Sequence, residues 1–345
     1  MIKPKALKKG DKIAIVSLSS GLGGEAPFLH RFETAKQRLE SDFGLQLKLM
    51  PNTLKGIDYL YKHPEARAAD LMEAFSNPEI KGIFCMIGGD DTIRILPYID
   101  FNIIRHNPKV FMGYSDTTIN HFMMYKAGLV SFYGPAVMVE FAENVAIHEY
   151  TKKYVYSILF EKKEKNDILS SLEWTSEFLE WSNVENKHIA RKMTPEDKGY
   201  ELLQGIGEAK GQLLGGCLDV FAMFIGTELW PNVDEWDNKL LFLETSEDCP
   251  KPSEVKYFLR NIMAQGIIER LSGIIFGKPI HEKYYNEYKE LLMSVIAEEA
   301  GRADLPILYN VNFGHTSPMC ILPYGVEAMI NCEEKTLSIC ESAVV

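Results

Sequence analysis

In the first half of the chain short apolar runs alternate with segments of helical spacing, and no other feature of the sequence constrains the fold as tightly. KIAIVSL, LQLKLM and IKGIFCMIGG read as strands, while FLHRFETAKQRLESDFG and PEARAADLMEAFSNP read as helices. This rhythm predicts an α/β fold, with a parallel sheet covered by helices on both faces. Ligands of such sheets collect at the carboxyl ends of the strands. Two turns fall there, one at Gly88 and Gly89 and one inside KVFMGYSDTTINHF (109–122).

In that second stretch Val110, Phe111 and Met112 form a short buried strand, and from Ile119 the spacing becomes helical until Gly128. Ser115 therefore sits on the turn between strand and helix. Ser115, Asp116 or Thr117 could simply cap the helix. The other reading is a nucleophile elbow, in which a tight turn raises the serine oxygen above the sheet edge. The usual elbow is G-x-S-x-G; here Gly113 supplies the first glycine and Thr117 stands at the second. The pattern by itself leaves both readings open.

A serine nucleophile needs a base and an acid to orient that base. Of the eight histidines, His121 is rotated away from Ser115 on the same helix, and His30, His63, His106, His148 and His188 lie in helical or polar stretches that read as surface. His281, in GKPIHEK, follows a strand and is less favoured. His315, in PILYNVNFGHTSP, follows a strand and a glycine and is bounded by Pro318, which makes it the first choice. Glu244 ends the apolar strand of KLLFLETSED, where a carboxylate needs a partner. The order Ser115, Glu244, His315 is that of α/β-hydrolases.

Residues 161–205 are polar, charged and aperiodic and read as a connector between a domain over 1–160 and a second over 206–345. In the second block LLGGCLDVFAMFIGT, KPSEVKYFLRNIMAQGII and the stretch near 283–299 read as helices. NKLLFLET, LSGIIFG and PILYNV read as strands, and YGVEAMINCEEKTLSICES as a hairpin. A dinucleotide signature, Gly21-x-Gly23-x-x-Ala26, follows the first strand, but the second strand ends in LKLMPN without the acid that would hold a ribose. The serine-rich loop there (Ser17, Ser19, Ser20) suits a small ligand better than a pyrophosphate.

The net charge of −11 argues against nucleic acid or an anionic membrane as the main partner. The lysines and apolar run at the start lack a clean cleavage site and read as a first strand rather than a signal peptide. Six scattered cysteines without a C-x-x-C pair read as reduced thiols of a cytoplasmic protein.

IGGDD, GYSDTT, YGPAVM, LLGGCLD, FLETSED and NFGHTSP, in that order over nearly the whole chain, resemble the family of LD-carboxypeptidases and microcin C immunity peptidases. The resemblance implies an N-terminal Rossmann-like domain carrying the nucleophile elbow, a C-terminal α/β domain with β-barrel character carrying the acid and the base, and a homodimer. It implies Ser115 as nucleophile, His315 as base, Glu244 as its orienter, and the backbone amides of Gly89 and Asp116 as oxyanion hole. No metal or cofactor is expected. The substrate would be a small peptide or an aminoacyl-nucleotide, with Trp181 stacking on the base. GGDD and FGHTSP look more like the immunity branch, whereas Cys217 stands where that branch commonly has asparagine among its substrate contacts. The alternatives are cell-wall peptide cleavage and a non-catalytic ligand-binding homologue.

Overall fold

The computed structural model describes residues 1–345 and resolves the alternation of the first half into five parallel strands. They are β1 (Lys12–Val16), β2 (Gln46–Leu49), β3 (Ile80–Cys85), β4 (Val110–Gly113) and β5 (Phe132–Tyr133), in the spatial order β5-β4-β3-β1-β2. All of β4 and nearly all of β1 and β3 are buried, as near-continuous apolar runs must be when helices cover both faces. Helix Leu29–Ser41 turns Phe32, Ala35 and Leu39 inward, and helix Pro64–Ser76 turns Ala68, Leu71 and Phe75 inward, each at three- and four-residue spacing. Because β1 lies between β2 and β3, the chain reverses direction across the sheet there. The loops leaving β1 and β3 consequently part and open a crevice.

The connector is more ordered than its composition suggests. It contains β6 (Asn166–Ile168), β7 (Glu173–Trp174), β8 (Thr194–Pro195) and β9 (Glu201–Gln204), of which β7 and β8 pair as a small two-stranded sheet. Then come β10 (Glu208–Cys217), β11 (Lys239–Glu244), β12 (Gly273–Gly277), β13 (Ile307–Val311), β14 (Leu322–Pro323), β15 (Glu327–Asn331) and β16 (Thr336–Ile339). Strands β10 to β13 form a parallel centre, and the whole eight-stranded sheet runs β6-β16-β15-β10-β11-β12-β13-β9, with β6 and β9 at its edges. The tail forms the expected hairpin, β15 with β16.

The run LLGGCLDVFAMFIGT, expected as a helix, is instead the end of β10 followed by the four-residue helix Leu218–Phe221. Its apolar residues are buried on both faces, so no alternation marks it as a strand. No helix is long and apolar enough to cross a membrane.

Two contacts join the halves. Strand β14 returns to pair antiparallel with β5, and helix Thr117–Ala127 is buried on nearly every side between the two sheets. One apolar core of 97 residues runs through both, so the strand ends of the two sheets are held in fixed relation.

Candidate active site

Strand β4 ends at Gly113 and the next helix begins at Thr117, leaving three residues for the turn. Ser115 holds it with φ 64°, a left-handed conformation that costs a non-glycine residue about 1 kcal/mol or more. The surroundings enforce it. The Ser115 N–H donates to the Tyr133 hydroxyl at 3.2 Å, and its carbonyl accepts from Thr118 N–H at 2.8 Å. The Gly113 carbonyl accepts from His121 Nε2 at 2.9 Å, and the other ring nitrogen takes the Ser131 hydroxyl at 2.9 Å. Burial pushes His121 down to about 3, so this histidine is a neutral brace for the turn. No side chain caps the helix: the Asp116 carboxylate turns away, accepting from the Ser19 hydroxyl at 2.6 Å and Thr92 N–H at 2.9 Å.

The loop after β3 presses against this turn. A Cβ on Gly88 would lie 2.9 Å from Ser115 Cβ and 3.0 Å from its Oγ, and one on Gly89 would lie 2.2 Å from Ser19 Oγ. Only glycines let the backbone come so close. The backbone N–H groups of Gly89 and Asp116 donate to no group of the protein.

Strand β11 delivers Glu244, fully buried and paired in register with Cys217 on β10. Glu244 Oε2 accepts from His315 Nδ1 at 2.8 Å, and Oε1 accepts from the Tyr133 hydroxyl. Tyr133 thus joins the acid to the backbone of Ser115. The loop after β13 brings His315 in, and a Cβ on Gly314 would fall 2.6 Å from Glu244 Oε2. Burial opposes a charged ring at His315, but the Glu244 carboxylate and then Glu247 raise its pKa well above the ordinary value. Glu247 lies 3.1 Å from Nε2, on the side opposite Glu244, and its hydrogen bond to the ring holds it down at about 2. The imidazole stands between two carboxylates.

Ser115, His315, Gly88, Gly89, Glu247 and Trp181 all line one cavity of about 500 Å³ at the carboxyl ends of β3 and β4. Trp181 rests on the Arg31 guanidinium at 4.1 Å, which is itself held by the carbonyl of Met138 at 2.8 Å. Arg191 from the connector pairs with Glu143, whose carboxylate stays at about 2 despite burial because His148 and Arg191 flank it. Trp174, in the polar stretch 161–205, is buried: the Lys278 ammonium lies 4.3 Å from its ring and reaches Glu196 at 2.9 Å, fastening the β7–β8 hairpin down.

Cys217, expected among the substrate contacts, has no exposed surface and lies beneath the cavity, because it ends β10 beside Glu244. His281 pairs with Ser176 at 2.8 Å and stands apart from Glu244. Gly21 packs against the backbone of Gly56, where a Cβ would fall 2.4 Å away, so the dinucleotide-like glycines serve loop packing. The donor atoms of Cys217, Glu244 and His315 lie within 4.8 Å of one another, yet Glu244 and His315 are bonded to each other as acid and base rather than converging on an ion.

Sequence reasoning missed Tyr133, Glu247, Arg31 and Arg191. Tyr133 stands in YGPAVM and Glu247 in FLETSED, so both were within recognised motifs; the two arginines carried no local signal.

Residues 13–134 match the model of the LD-carboxypeptidase N-terminal domain, and residues 210–330 that of the LD-carboxypeptidase C-terminal domain. The microcin C7 self-immunity protein MccF of Escherichia coli is 31% identical, over 85% of this chain and 84% of its own. The crystal structure of an MccF-like protein from Streptococcus pneumoniae in complex with AMP superposes with a TM-score of 0.86 at 35% identity, covering 95% of this chain and 98% of that one. Microcin C7 self-immunity protein MccF in complex with aspartyl sulfamoyl adenosine superposes at 0.85 with 26% identity, over the whole of both chains.

Proposed function

The chain belongs to the LD-carboxypeptidase family, the S66 peptidases, and from that premise we propose that it is a serine hydrolase that cleaves the amide joining an amino acid to a nucleotide. The observation that carries the reading is a strained serine facing two free backbone amides in the same cavity as a histidine–glutamate pair.

In this reading Ser115 Oγ attacks the scissile carbonyl carbon while His315 Nε2 takes its proton, once Glu247 has swung away. Glu244 holds Nδ1–H and stabilises the imidazolium. The negative oxygen of the tetrahedral intermediate is received by the Gly89 and Asp116 amides, each worth about 3 kcal/mol. Collapse breaks the C–N bond, His315 hands its proton to the leaving nitrogen, and the acyl group stays on Ser115. Water, deprotonated by His315 Nε2, then attacks the ester; its C–O bond to Ser115 breaks, His315 returns the proton to Ser115 Oγ, and the acid leaves.

Trp181 supports a nucleotide leaving group, because its ring borders the cavity and Arg31 covers it from one side. The relatives solved with AMP and with aspartyl sulfamoyl adenosine point the same way. Cell-wall peptide cleavage is the competing reading, favoured by Cys217 standing where the immunity branch commonly has asparagine. The division into 1–160, 161–205 and 206–345, a homodimer, and a cytoplasmic location where six free cysteines stay reduced belong to this proposal as well. Mass spectrometry of products from an aminoacyl-nucleotide analogue and a murein tetrapeptide tests the substrate. Cleavage of the first supports the proposal, and cleavage of the tetrapeptide alone overturns it.

A further inference from the structure

The serine-rich loop after β1 and Asp91 have no part in the chemistry above, yet they form a bonded polar cluster beside it. Arg67 is fully buried on helix Pro64–Ser76 and grips Asp91 with two nitrogens, at 2.6 and 3.1 Å. The same guanidinium donates to the carbonyls of Leu18 and Ser19 at 3.0 and 3.3 Å. The Asp91 N–H reaches Ser19 Oγ at 3.3 Å, and Ser20 N–H donates to the Gly88 carbonyl at 3.1 Å. The Ser19 hydroxyl donates in turn to the Asp116 carboxylate at 2.6 Å. Arg94 adds a second cation to Asp91 at 2.9 Å.

Ser19 therefore touches both halves of the proposed oxyanion hole. Its hydroxyl lies directly under Gly89, where a Cβ would be 2.2 Å away, and it holds the side chain of Asp116, whose backbone N–H is the other donor. The two donors sit on separate loops, one after β3 and one after β4, and neither amide bonds to the other's loop, so their spacing depends on what packs between them. The Ser19 hydroxyl bridges that gap, and the buried Arg67–Asp91 pair holds the loop carrying Ser19 in place.

We propose that Ser19 is a positioning residue that sets the spacing of the Gly89 and Asp116 amides, with Arg67 and Asp91 holding it there. This rests on the serine-hydrolase reading. The effect appears only when a negative oxygen occupies the hole, so it belongs to the transition state and not to substrate binding.

The test is Ser19→Ala, with Asp91→Asn as a second variant that keeps shape while loosening the grip on Ser19. The substrate is whichever amide the wild type cleaves, and the probe is an aldehyde analogue of its acyl half, which adds to Ser115 and forms a tetrahedral oxyanion. Loss of alignment in such a site costs about 10- to 100-fold. The expected result is a fall in kcat of about that size with KM unchanged, and weakening of the aldehyde by the same factor. Unchanged kcat and aldehyde affinity in both variants overturns the proposal. A rise in KM together with a fall in melting temperature in both also overturns it, since that is what a merely structural role produces. Stoichiometric labelling of wild-type Ser115 by a fluorophosphonate separates the two levels. Without labelling the hydrolase reading itself fails, whereas labelling with unaffected variants removes only the role of Ser19.

Discussion

Replacing Glu247 with glutamine should make the enzyme a better catalyst at low pH. His315 can act as base only when Nε2 is free of its proton, and Glu247 sits 3.1 Å from that nitrogen. The negative charge favours the protonated ring, so it moves the acidic limb of the pH–rate profile upward. The amide keeps the shape, removes the charge, and must move the limb down. Glu247 is 68% exposed at its side chain, so water screens the pair and its worth is that of a surface ion pair, about 0.2–1 kcal/mol. At about 1.4 kcal/mol per pH unit this shifts the limb by roughly 0.1 to 0.7 units. Well below the limb, kcat/KM should therefore rise by up to about fivefold, and at high pH it should not change. Tyr114, whose ring centre is 5.1 Å from that of His315, and Glu244 remain to hold the imidazole, so its orientation should survive. The assay is kcat/KM from pH 4 to 9 for both proteins, with about a dozen points to fix the limb. An unmoved or raised limb would refute the reasoning and mean that Glu247 does not reach the base in solution.

Glu244→Gln should slow turnover sharply, though less completely than loss of Ser115, because the amide can hold the ring but favours the wrong tautomer; steady-state kinetics decides it. Tyr133→Phe strands a buried carboxylate oxygen and the Ser115 amide, so thermal or denaturant unfolding should show a loss of about 1–3 kcal/mol together with slower turnover. Trp181→Ala should weaken hydrolysis of an aminoacyl-nucleotide by about 1–3 kcal/mol, the worth of one aromatic stack, and spare a tetrapeptide; equal loss on both defeats the stacking idea. The Glu244–His315 pair should also leave a mark on stability. Its raised imidazole pKa adds stability that is fully present below the ordinary histidine value and is lost as pH rises through the folded one, which unfolding curves of wild type and His315→Ala would reveal.

The parts of the site that were legible in the sequence are those where a residue contradicts its surroundings. Ser115 interrupts a strand-to-helix junction, Glu244 ends a run of four apolar residues, and His315 follows a strand and a glycine. Each contradiction is local, so periodicity exposes it. What stayed hidden depends on chain segments far apart. Strand β5 is two residues long, and its pairing with β14, which fixes Tyr133 next to Glu244, joins residues 133 and 322. Nothing within a window of ordinary length signals such a pairing. Glu247 stands beside Asp248 in the loop after Glu244, and only the folded course of that loop singles out which acid meets Nε2. The strand ending in Cys217 was misread as a helix because burial on both faces erases the two-residue period.

The central claim is that the reaction passes through an acyl group on Ser115. Intact-protein mass spectrometry during turnover of the aminoacyl-nucleotide analogue at low pH, where proton removal from water is slowed, should show a species heavier by the acyl group. Peptide mapping should then place it on Ser115, and the Ser115→Ala protein should show neither adduct nor product. Product formed by the Ser115→Ala protein, or an adduct on any other side chain, would contradict the account.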